Sequence, residues 1–332
     1  MKKITLLITA IASMVVTGTF GQSDNQKETS KEISANKKNI RIHSSNRNIE
    51  IQSWKEDKVK IVSNLPADDN NPSSDMLEKY GISVNEMSTS INININTNNW
   101  GSNGSAKKEI IIYVPQTSKI ILDSKYGNVN FKNNFETLEL DMTNGNLDAE
   151  NVNDLKLSSK YGNASFGQIR TGEIDFTNGN FSTSYLGEGE IDSKYSNIEL
   201  GTVKKLNFFS TNDEYDIDEA GDISARKNYG NLRISKLTSS IDLAGTNTDV
   251  KIRNITTSVS TIKFDDKYAT LRLPLKSLTD YTVEVKGVYN TVYPNNQNGA
   301  ASGDTDLVGY TVGSGKTTQV KIKCSNCNID LK

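Results

Sequence analysis

The chain has 332 residues, with 38 basic and 40 acidic side chains and a formal net charge of −2, so it has no electrostatic basis for binding nucleic acid or an anionic membrane. Hydrophobic residues make up 35% of it and aromatic residues 7%, which argues against a thick enzyme core. One histidine and two cysteines leave little material for metal, imidazole or thiol chemistry, so neither a cofactor nor a metal is expected.

At the start, Lys2 and Lys3 precede an apolar run from Ile4 to Val16, followed by the small-residue stretch Thr17-Gly18-Thr19-Phe20-Gly21. This pattern predicts a secretory signal peptide over residues 1–21. The run is too short for a membrane span, and no later apolar run is long enough, so the mature chain is expected to be exported without an integral membrane segment. Residues 22–38 are polar and aperiodic and read as a flexible leader. The remainder, 39–332, reads as one β-solenoid domain, with an N-terminal cap over 39–118, a repeat core over 119–275 and a C-terminal cap over 276–332.

The repeat carries the argument. Units begin at 119, 137, 154, 171, 188, 205, 222, 240 and 261, mostly 17 residues apart. Each is a short strand, a turn such as Lys125-Tyr126-Gly127-Asn128 or Thr143-Asn144-Gly145-Asn146, and a second short strand. The fourth position is apolar throughout, from Leu122, Leu140 and Leu157 to Phe264, and so is the eleventh, from Val129 and Leu147 to Leu271. Charged residues such as Glu139, Asp148 and Glu173 lie between, giving a period of two, the signature of strands with one face buried. The ninth position is often glycine, which reaches positive φ without steric cost and would let the chain bend there. A unit this small cannot bury its own apolar face, so units must stack.

The eighth position alternates: Tyr126, Asn144, Tyr161, Asn178, Tyr195, Asn212, Tyr229, Asn247, Tyr268. Two units per coil would place tyrosines on one edge and asparagines on the other, and like-with-like ladders favour that arrangement. One unit per coil would interleave them on one edge. Antiparallel hairpins are a third option, because Asn-Gly is also a common hairpin turn. The expected fold class is all-β, a single-stranded right-handed β-helix-like solenoid, with two units per coil preferred.

Towards the ends, Ile49 to Ile61 and Ile82 to Ile95 show further alternating strands, and Val320 to Leu331 looks like a tenth unit with Ile322, Ile329 and Leu331 in core columns. Cys324-Ser325-Asn326-Cys327 is a candidate disulfide across a turn, since flanking strand pattern argues against thioredoxin-like chemistry. Candidate ligand-contact residues are Tyr126, Tyr161, Tyr195, Tyr229 and Tyr268, as an aromatic platform for sugar rings, together with Trp100 in its Gly/Asn/Ser loop. Edge or core packing is the competing reading for the tyrosines.

The Gly-Asn turns, the segment Ile49-Glu50-Ile51-Gln52-Ser53-Trp54-Lys55-Glu56-Asp57-Lys58-Val59 and Ile112-Tyr113-Val114-Pro115 resemble the bacterial adhesin family of toastrack, auto-transporter-head-like domains over roughly residues 35 to 332. The resemblance implies a β-helix-like repeat fold in envelope or secreted proteins, linked to adhesion or envelope-stress signalling, and no transferable catalytic motif.

The expected function is therefore an exported, non-catalytic binding module for a surface glycan or protein, in the periplasm or at the cell surface. The alternative is an envelope-stress signalling component. A polysaccharide-active β-helix enzyme is the third reading, opposed by dispersed charge and by the distance of His43 from the repeat.

Overall fold

Each 17-residue unit closes one complete coil. In the computed structural model, which describes residues 26–66, 73–96, 110–295 and 307–332, Leu147 pairs in parallel with Val129 one unit before it and with Ala164 one unit after. Leu157 does the same with Leu140 and Ile174, and the one-unit step continues through Ile191 and Phe208. This corrects the preference for two units per coil, and the parallel register sets aside hairpins in the repeat. The expected signal peptide and Trp100 lie outside the described residues.

A third buried column explains how so short a coil closes. Besides the apolar columns led by Leu122 and Val129, the far corner of each coil inserts Phe135, Val152, Ile169, Leu186, Val203, Ala220, Leu237 or Ile255, all buried. Three inward-facing columns fill a narrow core from all sides, so apolar burial, at about 25 cal/mol per Å², stabilises every coil through its neighbours. The backbone stays hydrogen-bonded round the corners, and one strand runs unbroken from Asn197 to Ile252.

The turn works differently from the sequence expectation. The residue in the left-handed region is the tyrosine or asparagine before the glycine: Tyr126 has φ 56°, Asn144 55°, Tyr161 58° and Asn178 58°. Gly127, Gly145, Gly162 and Gly179 have no positive φ and are needed for space. A Cβ on Gly162 would lie closer than 3.0 Å to the carbonyl oxygen of Gly145, and Gly145 stands in the same relation to Gly127. Backbone packs directly on backbone there.

Both ends are interlocked. The coil over 39–54 pairs in parallel with 119–132 on one side and, on the other, with Ser90–Ile95 and Ile110–Pro115, which follow it in sequence. At the other end the last coil, Thr318–Ser325 with Asn328–Asp330, lies between coil 261–272 and the earlier Tyr281–Lys286 with Thr291–Tyr293. The expected tenth unit is thus a true coil, placed inside the segment expected as cap. Antiparallel strands cover the outer edges: Lys58–Pro66 and Ile82–Glu86 at one end, Leu307–Val312 at the other. The expected flexible leader is also corrected, because Gln26–Ser34 forms a strand antiparallel to Lys58–Pro66. Its inner side is met by Thr29, which is buried, and by Ile33, which packs against the core, too few apolar residues to show an alternating pattern. The helix Ser73–Lys79 buries Met76 and Leu77 at this end.

Inside the turn corner, glycine and apolar side chains give way to polar ones midway along the stack. Asp213 is fully buried and accepts hydrogen bonds from Ser193 Oγ at 2.9 Å, Ser210 Oγ at 2.8 Å and the Ser196 and Thr211 amides at 2.7 and 3.0 Å. Lys227, also fully buried, donates to Ser210 Oγ at 3.0 Å and to the Asp213 carbonyl at 2.7 Å. Burial lowers its pKa to about 8, with Asp213 and Glu214 opposing the shift. Tyr215 stacks on Phe208 and is hydrogen-bonded to Ser193, and burial pushes its phenol well above the usual range. Three coils on, Asp266 accepts a hydrogen bond from Thr248 and is held above the usual carboxylate range by burial. The column continues through the disulfide Cys324–Cys327, whose Cα atoms are 6.1 Å apart, to the buried Asn290, which donates to the Cys324 carbonyl at 2.8 Å and accepts from the Cys327 amide at 3.0 Å.

Two outcomes follow. Gly162→Ala should cost more than about 2 kcal/mol of stability in urea unfolding, because the added methyl meets backbone, whereas Tyr161→Asn, which copies alternate coils, should cost under about 1 kcal/mol. For Lys227, the unfolded chain keeps its proton between pH 8 and 10 while the folded chain releases it, so unfolding free energy should rise with pH across that window. The rise should be on the order of 2 kcal/mol and absent in Lys227→Met; a flat profile in the native protein would contradict the buried lysine.

Candidate tyrosine edge

One long edge of the solenoid is built from the left-handed residues. Their amides link successive coils: Asn46 donates to the Lys125 carbonyl at 2.7 Å, Tyr126 to Thr143 at 2.9 Å, Asn144 to Lys160 at 2.9 Å and Tyr161 to Thr177 at 3.0 Å. The positive φ turns each side chain off the corner and into solvent. Tyr126, Tyr161, Tyr195, Tyr229 and Tyr268 are 50–61% exposed, so the structure places all five sequence-predicted tyrosines on one surface and none in the core. Asparagines separate them along that edge, which the two-unit coil would not have given.

A sixth tyrosine was missed. Tyr289 has φ 59°, is 67% exposed and continues the row. Its signal was present in Val288-Tyr289-Asn290, but that coil is out of sequence order in the stack. The amide ladder sits two positions further on from the alternating column: Asn146, Asn163 and Asn180 backbone amides donate to Oδ1 of Asn128, Asn146 and Asn163 at 2.9–3.1 Å. It ties adjacent turns together and makes the edge a stiff mount for the rings.

A shallow groove runs along the first strands of the coils, notched where Gly172 and Gly189 replace the leucines of neighbouring coils. Most of its charges are paired, as in Lys119–Glu139 at 2.6 Å and Lys156–Glu173 at 2.7 Å. Hydrogen bonding to Lys119 holds Glu139 below the usual carboxylate range, and Glu173 raises Lys156. Paired groups of this kind are poorly placed as proton donors or acceptors. His43 is on the outside of its strand, 3.2 Å from Asp123. Among the described residues there is no cluster of His, Cys, Asp or Glu suited to a metal ion, and no helix long and apolar enough to cross a membrane.

No curated protein sequence matches the chain. Similar solved structures include a candidate adhesin from Parabacteroides merdae ATCC 43184, at 12% identity and TM-score 0.38, covering 72% of this chain and 96% of that one. A candidate adhesin from Bacteroides fragilis NCTC 9343 has 15% identity and TM-score 0.34, with coverage of 72% and 95%. A candidate lipid binding protein from Parabacteroides distasonis ATCC 8503 has 11% identity and TM-score 0.38, with coverage of 73% and 94%. The model of the Toastrack DUF4097 family matches residues 37–332, the same span that folds into stacked coils and their caps. The chain belongs to the Toastrack DUF4097 family.

Proposed function

We propose that this protein is an exported, non-catalytic module that attaches to a surface ligand, a glycan or a protein, through its tyrosine edge. The observation that carries this reading is the row of six exposed tyrosines held at fixed spacing on a hydrogen-bonded backbone. Large apolar side chains are rarely left in solvent in a regular array unless something covers them. Tyrosine supplies wide contact area with few rotatable bonds, so little entropy is lost when it is engaged. Export is supported by the signal-peptide pattern at residues 1–21 and by the disulfide, a bond that persists in oxidising compartments. The paired charges of the groove favour binding over catalysis.

The test uses the mature chain on a glycan array and on isolated bacterial envelopes. A variant carrying Tyr126→Asn, Tyr161→Asn and Tyr195→Asn keeps a side chain that the same position already accepts in alternate coils. Its retention should fall at least about tenfold with its circular dichroism unchanged. Equal retention of variant and native protein would remove the tyrosine edge as the binding surface.

A further inference from the structure

The alternation of tyrosine and asparagine follows space rather than sequence. At the end of the chain the left-handed residues occur in the order Tyr268, Tyr289, Asn326. In the stack, the Tyr268 amide donates to the Ser325 carbonyl at 3.0 Å and the Asn326 amide to the Val288 carbonyl at 3.0 Å, so Asn326 lies between the two tyrosines. At the other end Asn46, from a distant segment, takes the place beside Tyr126 that the alternation requires. Simple duplication of a two-unit module would not restore the pattern at two rearranged ends. A constraint on the finished surface would.

That constraint is the spacing of the rings. Coils are about 4.8 Å apart, so tyrosines on every second coil are about 9.6 Å apart. Tyrosines on every coil would be close enough to stack on one another and hide their faces. The intervening asparagines keep the rings separate and available.

Charge narrows the ligand. Lys125, Lys160, Lys194 and Lys267 each directly precede a tyrosine of the row and are exposed, whereas Ser or Thr precedes each asparagine. Among the described residues none of these four lysines has an ion-pair partner, although Lys119, Lys156 and Lys263 on the first strands of their coils each pair with a carboxylate on an adjacent coil. Of the carboxylates within two residues of the row in sequence, Asp213 and Asp266 are buried at the turn corner, and Glu214 and Asp249 are taken up by Arg233 and Arg272. Facing lysines would repel a second copy docked edge to edge, and an anion would be attracted.

We propose that the edge binds an extended, acidic polysaccharide lying along the solenoid axis, with sugar faces on the tyrosine rings and carboxylates at the lysines. A flat β-1,4-linked chain repeats every two sugars over a distance close to two coils, so the same face of the chain recurs near neighbouring rings. The proposal rests on the tyrosine edge being the binding surface and adds the ligand class.

Binding of the mature chain to polymannuronate, carboxymethyl cellulose, neutral hydroxyethyl cellulose and polyglutamate separates the possibilities. The two acidic β-1,4 polymers should bind, with affinity rising with chain length and falling with salt. The triple Tyr→Asn variant should lose at least about tenfold, and so should Lys125→Thr with Lys160→Thr and Lys194→Thr, which copies the alternate coils. Equal binding of hydroxyethyl cellulose would overturn the acidic class while leaving the edge intact. Polyglutamate binding as tightly as the glycans, with no dependence on the tyrosines, would reduce the edge to a charge stripe and overturn the ligand class. Failure of both acidic glycans, with the Tyr→Asn variant still losing envelope retention, would overturn the ligand class alone. If that variant changes neither assay, the edge reading falls with it.

Discussion

Backbone stacked on backbone at the turn is the constraint on which the rest depends. Coils about one strand spacing apart cannot admit a Cβ between successive turns where Gly127, Gly145, Gly162 and Gly179 lie over one another. The preceding residue takes a left-handed conformation along the whole row, before glycine and before Ser196, Asp213, Thr248 and Ala269 alike, and its side chain is thrown outward. Asparagine tolerates that conformation comparatively well, whereas tyrosine has no such local advantage. Six tyrosines held in it therefore represent conformational cost, about 1–3 kcal/mol each, offset by the packing and hydrogen bonding of the surrounding coils. Strain retained at regular intervals on an exposed edge is consistent with a surface kept for contact.

The ends show how a solenoid of one sheet avoids fraying and edge-to-edge association. At each end the coil nearest the chain terminus is inserted one layer in, so that it is hydrogen-bonded on both sides. The outermost parallel strands are then covered by antiparallel ones from the same chain. Unpaired strand edges are the natural templates for aggregation, and this arrangement reduces them without separate capping domains.

Along the length, the corner core is not uniform. Glycine lets the first coils close tightly, with Phe176 beside Gly179, while Ser196, Asp213, Thr248 and Ala269 bring side chains into the same place further on. The buried carboxylate of Asp213 is tolerated because four donors satisfy it, and Lys227 because it reaches a hydroxyl and a carbonyl. Outside, ion pairs between adjacent coils such as Lys156–Glu173 are exposed and contribute little individually. Stability therefore rests on the interior columns, and the outer surface is left largely to solvent and ligand.

Much of this was legible from residues alone. Period-two alternation gave strands, the recurring Lys-Tyr-Gly-Asn and Thr-Asn-Gly-Asn turns gave the unit, and the eighth column identified the tyrosines that prove exposed together. The coil size was not legible, because Tyr126 and Tyr161 are in register under either coil and only the pairing of Leu147 with Ala164 separates the two. Nor was the place of Tyr289 in the row, since contiguity in sequence differs from contiguity in the stack at both ends. The role of the turn glycines was misread for a related reason: positive φ and lack of room both select glycine, and the first is a local property while the second exists only once another coil lies against it. Local chemistry, strand alternation and turn type, is written into short stretches of sequence; which coil lies beside which depends on long-range packing, and only the tertiary structure decides it.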